Sequence, residues 1–370
     1  MPKFKVVVRA FYEDSYLDFF IKWYLALGFD RIDILKADHD IHGDGGISTN
    51  DKVRIIPVPN TGNQILVDMY HVFRDLDFDW VLNIDADEYL MIDRVKYPNG
   101  IGDMVRDVES WMVGKGVPST NLQMMAFNWA CIDKLDIKPG TGTNGACTMK
   151  DMVSGYPLHV YSFIKSFVKP SELPMIITAE HNCHNMITSN TKVYGGSICG
   201  RMCHVLGDTI CEVTTHKYHF NKETNNFKWG YILHLNTRSL ANALTKSLVT
   251  QLRRRKQIAD LNLFTELINE IDTIKLENNN LAYKHEIMEQ FKNQLNLKWW
   301  FPVKVRNYHN SYNDTITEQI EYATNILKTC NPELMCMDIV KRDHELKQLE
   351  QLCVNVGVNW EKCKVVLGLF

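Results

Sequence analysis

A chain of 370 residues, 45% of them hydrophobic, has room for one large domain or two ordinary ones and can bury a sizeable core without disulfide staples. Its 41 basic and 44 acidic residues leave a net charge of −3, which removes the bulk electrostatic case for nucleic acid as a partner; any bound polyanion is expected to be small and held locally. The ten cysteines lack the dense, even spacing of a secreted disulfide framework, and no run reaches the roughly eighteen apolar residues of a membrane span. Met1 leads straight into a strand-like run, so the expectation is a soluble, cytoplasmic protein with reduced cysteines and no membrane span.

The first part of the chain alternates strand and helix signals. Residues 4–10 read as a strand, and Leu17, Phe20, Ile21 and Tyr24 then fall on one helical face, with Asp14 or Ser15 as cap and Gly28 as stop. Short strands are expected at residues 31–35 and 53–58, where prolines at 57 and 59 end the pairing. Ile65, Met69, Phe73 and Leu76 predict a second helix, followed by a strand at residues 80–84. Ile101, Met104, Val105 and Val108 predict a third helix ahead of an apolar strand at residues 122–127. Strands alternating with helices of this length imply right-handed crossovers and a doubly wound, mostly parallel α/β sheet. Ligands of such sheets bind beyond the carboxyl ends of the strands, which directs attention to the residues just after Ile84.

Residues 131–220 are rich in Gly, Thr, Ser, Asn and His, with only short apolar runs, and loops of that length are more often functional than idle. From about Leu240 the pattern becomes helical, with periodic stretches at residues 258–275 and 316–328. A boundary is placed near residue 248, giving a catalytic domain at 1–248 and a helical C-terminal region at 249–370, without internal repeats.

Asp85, Asp87 and Glu88 follow a buried strand at once, where unpaired charge would be very unfavourable. A turn of solvated acids is one solution. A hard divalent cation, Mg2+ or Mn2+, is the other, since such ions take one or two carboxylates from protein and complete their shell with phosphate oxygens.

The segment Asp85-Ala86-Asp87-Glu88-Tyr89-Leu90 resembles the Asp-x-Asp-Glu-Phe-Leu signature of glycosyltransferase family 92 and of related family 2 enzymes with the GT-A fold. Further pieces recur in the family's order. Tyr12-Glu13-Asp14, Tyr16-Leu17 and Trp23-Tyr24-Leu25-Ala26-Leu27-Gly28 are similar to its opening pattern, and Gln64, Asn128-Trp129, Lys165 to Pro170, His181 and Ile232 to Ser239 match later landmarks. Arg9-Ala10-Phe11 departs from it, standing where the family shows Lys-Asn-Glu. The resemblance covers residues 4–248 and implies a GT-A fold, an inverting transfer and a uridine or similar nucleotide-sugar donor.

On that resemblance Asp85, Asp87 and a late histidine, His234, are the expected metal ligands; a hydrogen-bonded core histidine is the alternative for His234. Asp38 and Asp40, at the end of the second strand, are expected to meet ribose or base, or else form an acidic surface turn. Gln64, Asp85, Lys165 and His181 complete the nucleotide-binding set, with Lys165 suited to the diphosphate as a point charge. Asp133, Asp151 and Glu180, in the loop-rich half, are the candidate general bases for the acceptor hydroxyl.

His181, Cys183, His184, Cys199, Cys203 and His204 have the residue types of a zinc site but not the spacing of a structural zinc motif. The run Arg253-Arg254-Arg255-Lys256 reads as a solvated helix face, and Trp299-Trp300-Phe301-Pro302 as a sugar platform or an anchor for the tail. The C-terminal region either caps an acceptor site or forms a homodimer surface. The function expected is a metal-dependent transfer of sugar from a nucleotide-sugar, UDP-sugar favoured, to a glycan or other hydroxyl acceptor. Its rivals are a catalytically silent nucleotide- or sugar-binding module and a metal-dependent phosphoesterase, although the latter needs more clustered ligands than this turn offers.

Overall fold

The computed structural model of the chain describes residues 1–47, 49–59, 68–132, 148–153, 158–173, 175, 191–194, 197–200, 203–206, 209–212, 228–235, 238–253, 268, 270–272, 275, 280–298, 313–330, 332–337, 342–367 and 369. It divides into two units that interleave in sequence. The first comprises Met1–Ile132, Pro157–Asn236 and Tyr312–Met337; the second comprises Asp133–Tyr156, Thr237–Ser311 and Asp338–Phe370.

In the first unit the opening run forms the middle of the sheet. Val6, Val7 and Val8 are fully buried in β1 (Phe4–Ala10), as a strand covered on both faces requires. β1 pairs in parallel with β2 (Arg31–Lys36) on one side and β4 (Trp80–Asp85) on the other, and β2 pairs in parallel with β3 (Val53–Pro57). This is the parallel block that the alternation of strands and helices predicts.

Beyond β4 the sheet is mixed. β7 (Leu158–Val168) runs antiparallel to both β4 and β6 (Leu122–Ile132). β10 (Cys203–Leu206) is parallel to β6 and antiparallel to β11 (Thr209–Glu212). A short strand unseen in the sequence, β5 (Glu88–Met91), pairs antiparallel with β12 (Tyr231–His234), which itself runs parallel to β6. β8 (Thr191–Tyr194) and β9 (Ser197–Gly200) form a separate two-stranded ladder.

The helix Asp14–Ala26 buries Tyr16, Leu17, Phe19, Phe20, Trp23 and Tyr24, a wider face than the expected stripe, with Ile21 only half-buried. It stops at Gly28, whose φ of +91° an L side chain rarely adopts. The helix Ile101–Gly114 buries Ile101, Met104, Val105, Val108 and Met112 at spacings of three and four, as its sequence predicts. Of the expected helix around Met69 and Phe73, the described part is Tyr70–Phe73; Ile65 lies outside the described residues, and Leu76 is exposed. The helix Asn313–Thr329 belongs to this unit too, and the Tyr231 hydroxyl donates to the Ala323 carbonyl at 3.0 Å.

The described part of the second unit is mainly helical. The helix Leu240–Arg253 packs on Arg342–Val356, with Leu244, Leu248, Leu349 and Leu352 fully buried. Ser239 caps the first of these, its hydroxyl accepting the Asn242 N–H at 2.8 Å and donating to Glu345 at 2.9 Å. The boundary expected near residue 248 falls inside helix Leu240–Arg253. Among the described residues no helix is long and apolar enough to cross a membrane.

Candidate functional site

The acidic turn sits where β4 stops. Asp85 is the last residue of β4, Ala86 and Asp87 turn the chain, and Glu88 opens β5. Two hydrogen bonds fix this geometry: the Asp85 N–H donates to Glu88 Oε2 at 2.8 Å, and the Leu235 N–H donates to the Asp87 carbonyl at 2.8 Å. The second bond ties the turn to the end of β12, where His234 stands in register with Glu88 on one side and with Cys131 on the other. All of these residues belong to the first unit.

Two ionic groupings result. Asp85 accepts from Arg9, its register partner at the end of β1, and from Lys165 of β7, whose Nζ lies 2.6 Å from Asp85 Oδ2 and 3.0 Å from Glu88 Oε2. Beside this, His234 Nε2 lies 3.3 Å from Asp87 Oδ2, while its Nδ1 faces Cys131 Sγ at 4.0 Å. The Trp129 ring packs on the imidazole, with centroids 4.3 Å apart. Asp87 and Cys131 therefore approach opposite nitrogens of one ring.

The electrostatics follow from burial and neighbours. Burial alone would raise the Asp85 carboxyl, but Arg9 and then Lys165 outweigh it and hold the group well below the usual carboxylate range. Burial pushes Glu88 up to about 7 against the pull of Lys165, with Asp85 and Asp87 adding repulsion. For His234 burial works against the charged form, yet the charge and hydrogen bond of Asp87 raise it to about 10.

Asp87 and His234 could hold a hard divalent cation from the protein side, and Glu88 Oε1, buried with no hydrogen-bond partner among the described residues, adds an acceptor oxygen close by. Among the described residues no three His, Cys, Asp or Glu side chains form a metal cage.

Of the residues singled out from sequence, Asp85, Asp87, Lys165 and His234 come together here. Lys165 is fully buried beneath the two carboxylates. Asp38 lies at the end of β2, with β1 between it and β4, and is 1% exposed. One of its oxygens accepts the Tyr12 N–H at 2.8 Å and the other meets Lys36 Nζ at 3.0 Å, so within this structure it fixes the turn after β1. Asp40 is exposed on the short helix His39–His42. Gln64, Asp133, Glu180 and His181 lie outside the described residues, and Asp151 lies on the helix Met149–Val153 with its side chain outside the description. The same holds for the side chains of Cys199, Cys203 and His204, while Cys183, His184 and the run Trp299-Trp300-Phe301-Pro302 lie wholly outside it.

Arg9 and Cys131 carry no local motif that assigns them a role. Their signal is strand register, which places Arg9 opposite Asp85 and Cys131 opposite His234 across more than seventy residues of chain.

No family model and no curated protein matches the chain. Among solved structures it is similar to glucosyl-3-phosphoglycerate synthase from Mycobacterium tuberculosis in complex with Mn2+, uridine diphosphate and glucosyl-3-phosphoglycerate, at 16% identity and a TM-score of 0.24. That match covers 46% of this chain and 58% of the synthase chain, so it spans less than two thirds of that enzyme and bears on neither fold nor activity here.

Proposed function

We propose that the chain is a metal-dependent glycosyltransferase of the GT-A type that takes a sugar from a nucleotide diphosphate donor, UDP-sugar favoured, and passes it to a glycan or other hydroxyl acceptor with inversion. The observation that carries this reading is the His234 Nε2 contact with Asp87 Oδ2 at 3.3 Å, between residues 147 positions apart, beyond the carboxyl end of a parallel strand. An acidic turn joined to a distant histidine there offers carboxylate and imidazole donors that would suit a divalent cation. The cation, Mn2+ or Mg2+, supplies neutralisation of the charge that grows on the leaving diphosphate.

The chain's own residues do the rest. Asp87 and His234 would hold the ion, with Asp85 beside them, while Arg9 and Lys165 keep Asp85 ionised. Asp133, Asp151 and Glu180 are the candidates for the base that takes the acceptor proton. The part of the region after residue 248 that lies in the second unit is proposed to form a homodimer surface.

The alternative is a binding module without turnover. It draws on one observation: Asp85 is already neutralised by Arg9 and Lys165, and Asp87 by His234, so the acidic turn stands without a metal. Incubation with a panel of nucleotide sugars and Mn2+, following released nucleotide, separates the two. Release that is abolished by chelator supports the transferase; saturable nucleotide binding with no release from any donor supports the module.

A further inference from the structure

Two cations serve the single carboxylate of Asp85, and they are not equivalent. Lys165 is fully buried and shared, at 2.6 Å from Asp85 and 3.0 Å from Glu88. Removing it would leave the fully buried Glu88 without this counter-ion, which is strongly unfavourable. Arg9 takes the other oxygen of Asp85 from the open side, where the Arg9 and Asp85 side chains keep 17% and 29% of their exposure. If Arg9 lets go, Asp85 still has Lys165. The pair is thus built so that one cation can be exchanged while the other stays.

What would draw Arg9 away is a stronger planar acceptor arriving from solvent. A guanidinium presents its donors as a fork that matches phosphate oxygens two at a time, which an ammonium does not. Arg9 stands at the end of β1 and Asp85 at the end of β4, in register on adjacent parallel strands, at the edge where such sheets take ligands.

We propose that Arg9 is the anion-binding residue of this site, exchanging the Asp85 carboxylate for the phosphate oxygens of a nucleoside diphosphate, while the buried Lys165 remains as Asp85's counter-ion. This rests on the nucleotide-sugar reading above, but it moves the diphosphate contact from Lys165 to Arg9. The exchange also releases one oxygen of Asp85 toward the ligand side.

The test is calorimetry on the full chain with inorganic pyrophosphate as probe, in Mn2+ and again in chelator at low ionic strength. Arg9→Gln should weaken pyrophosphate binding in Mn2+ by about tenfold or more, the scale of a lost charge-assisted bidentate contact. Arg54→Gln, a control at the distant Asp33, should leave it unchanged. Asp85→Asn should act with the opposite sign, strengthening pyrophosphate binding in chelator several-fold, because the carboxylate that competes for the guanidinium has lost its charge.

Equal affinity for wild type and Arg9→Gln would overturn the assignment. So would the absence of any gain in Asp85→Asn, and that arm decides the matter if Arg9→Gln does not fold. A protein that binds pyrophosphate through Arg9 but releases no nucleotide from any donor would sink the transferase reading and leave this one standing.

Discussion

The Tyr24 hydroxyl donates to the Glu88 carbonyl at 3.0 Å and accepts the Leu90 N–H at 3.0 Å, so one side chain of the helix Asp14–Ala26 takes the place of a neighbouring strand for β5. Trp23 Nε1 completes the substitution by donating to the Leu90 carbonyl at 3.1 Å. β5 pairs with β12 on its other edge, and it carries the residue that follows Asp87. Tyr24→Phe keeps the packing and leaves two buried backbone groups without that hydroxyl, which should destabilise the fold by about 2 kcal/mol. It should also weaken Mn2+ affinity, because the turn loses its fixed position. Thermal melting and metal titration check the two effects; a lower melting temperature with unchanged Mn2+ affinity would show that β5 holds the turn without Tyr24.

That contact also explains what the sequence could and could not reveal. β1 and the helix Ile101–Gly114 were legible because burial imposes the run Val6-Val7-Val8 on one and a spacing of three and four on the other. β5 was not, since it is four residues long and one edge is satisfied by Trp23 and Tyr24 rather than by a strand. Asp85 and Asp87 could be singled out from their place after a strand. Arg9 could not, because its partner is set by the parallel register of β1 and β4 and not by any local pattern. Lys165 was legible as a residue but not as a buried one, since the antiparallel return of β7 beneath the turn has no sequence signature.

A glycine governs the approach of two helices. Gly100 has φ +85°, and a Cβ there would come within 2.1 Å of the Leu27 carbonyl oxygen, which accepts the Ile101 N–H at 2.8 Å. Gly100→Ala should therefore destabilise the protein by about 2 kcal/mol or more, from backbone strain and from separation of the two segments. Denaturant unfolding measures it. A change below about 0.5 kcal/mol, the range of an ordinary surface substitution, would mean the contact relaxes freely.

Acid stability should depend on Asp75. Burial alone would raise this carboxyl, but the hydrogen bond and charge of Lys5, whose Nζ lies 2.8 Å away, outweigh burial and leave it below its ordinary value. Its contribution is fully present above the unfolded carboxyl value of about 3.9 and is lost as pH falls through the lower folded value. Melting temperatures measured from pH 6 down to pH 2 should fall less steeply for Asp75→Asn than for wild type. Parallel curves would show that the Lys5 pairing of Asp75 contributes nothing to acid stability.

Truncation after residue 248 should fail to leave a stable sheet. The helix Asn313–Thr329 lies in the first unit and buries Ala323 and Ile326, and Tyr231 of β12 bonds to it. Removing it exposes the back of the strand that carries His234. Circular dichroism and melting of the shortened chain check this. A cooperative transition at the wild-type temperature would establish that residues 1–248 fold alone.

Asp87→Asn separates the metal reading from a purely structural one. The substitution keeps an oxygen that can accept from His234 Nε2, now at 3.3 Å from Asp87, but removes the charge that raises His234 and that would face a cation. Folding should change little, because the lost attraction to His234 is offset by relief of repulsion from Asp85 and Glu88, for which Asp87 is a raising neighbour. Metal affinity should fall sharply, and nucleotide release at saturating donor should fall by about a hundredfold or more, the usual consequence of removing a charge aligned with the transition state. The measurement is paired: melting temperature in chelator, and release rate in Mn2+, for both proteins. An unchanged rate would take Asp87 out of the mechanism. A collapsed melting temperature would make the Asp87 and His234 pair a structural link between the turn and β12, and His234→Gln, which can still donate to Asp87, should then restore most of the stability that His234→Ala loses.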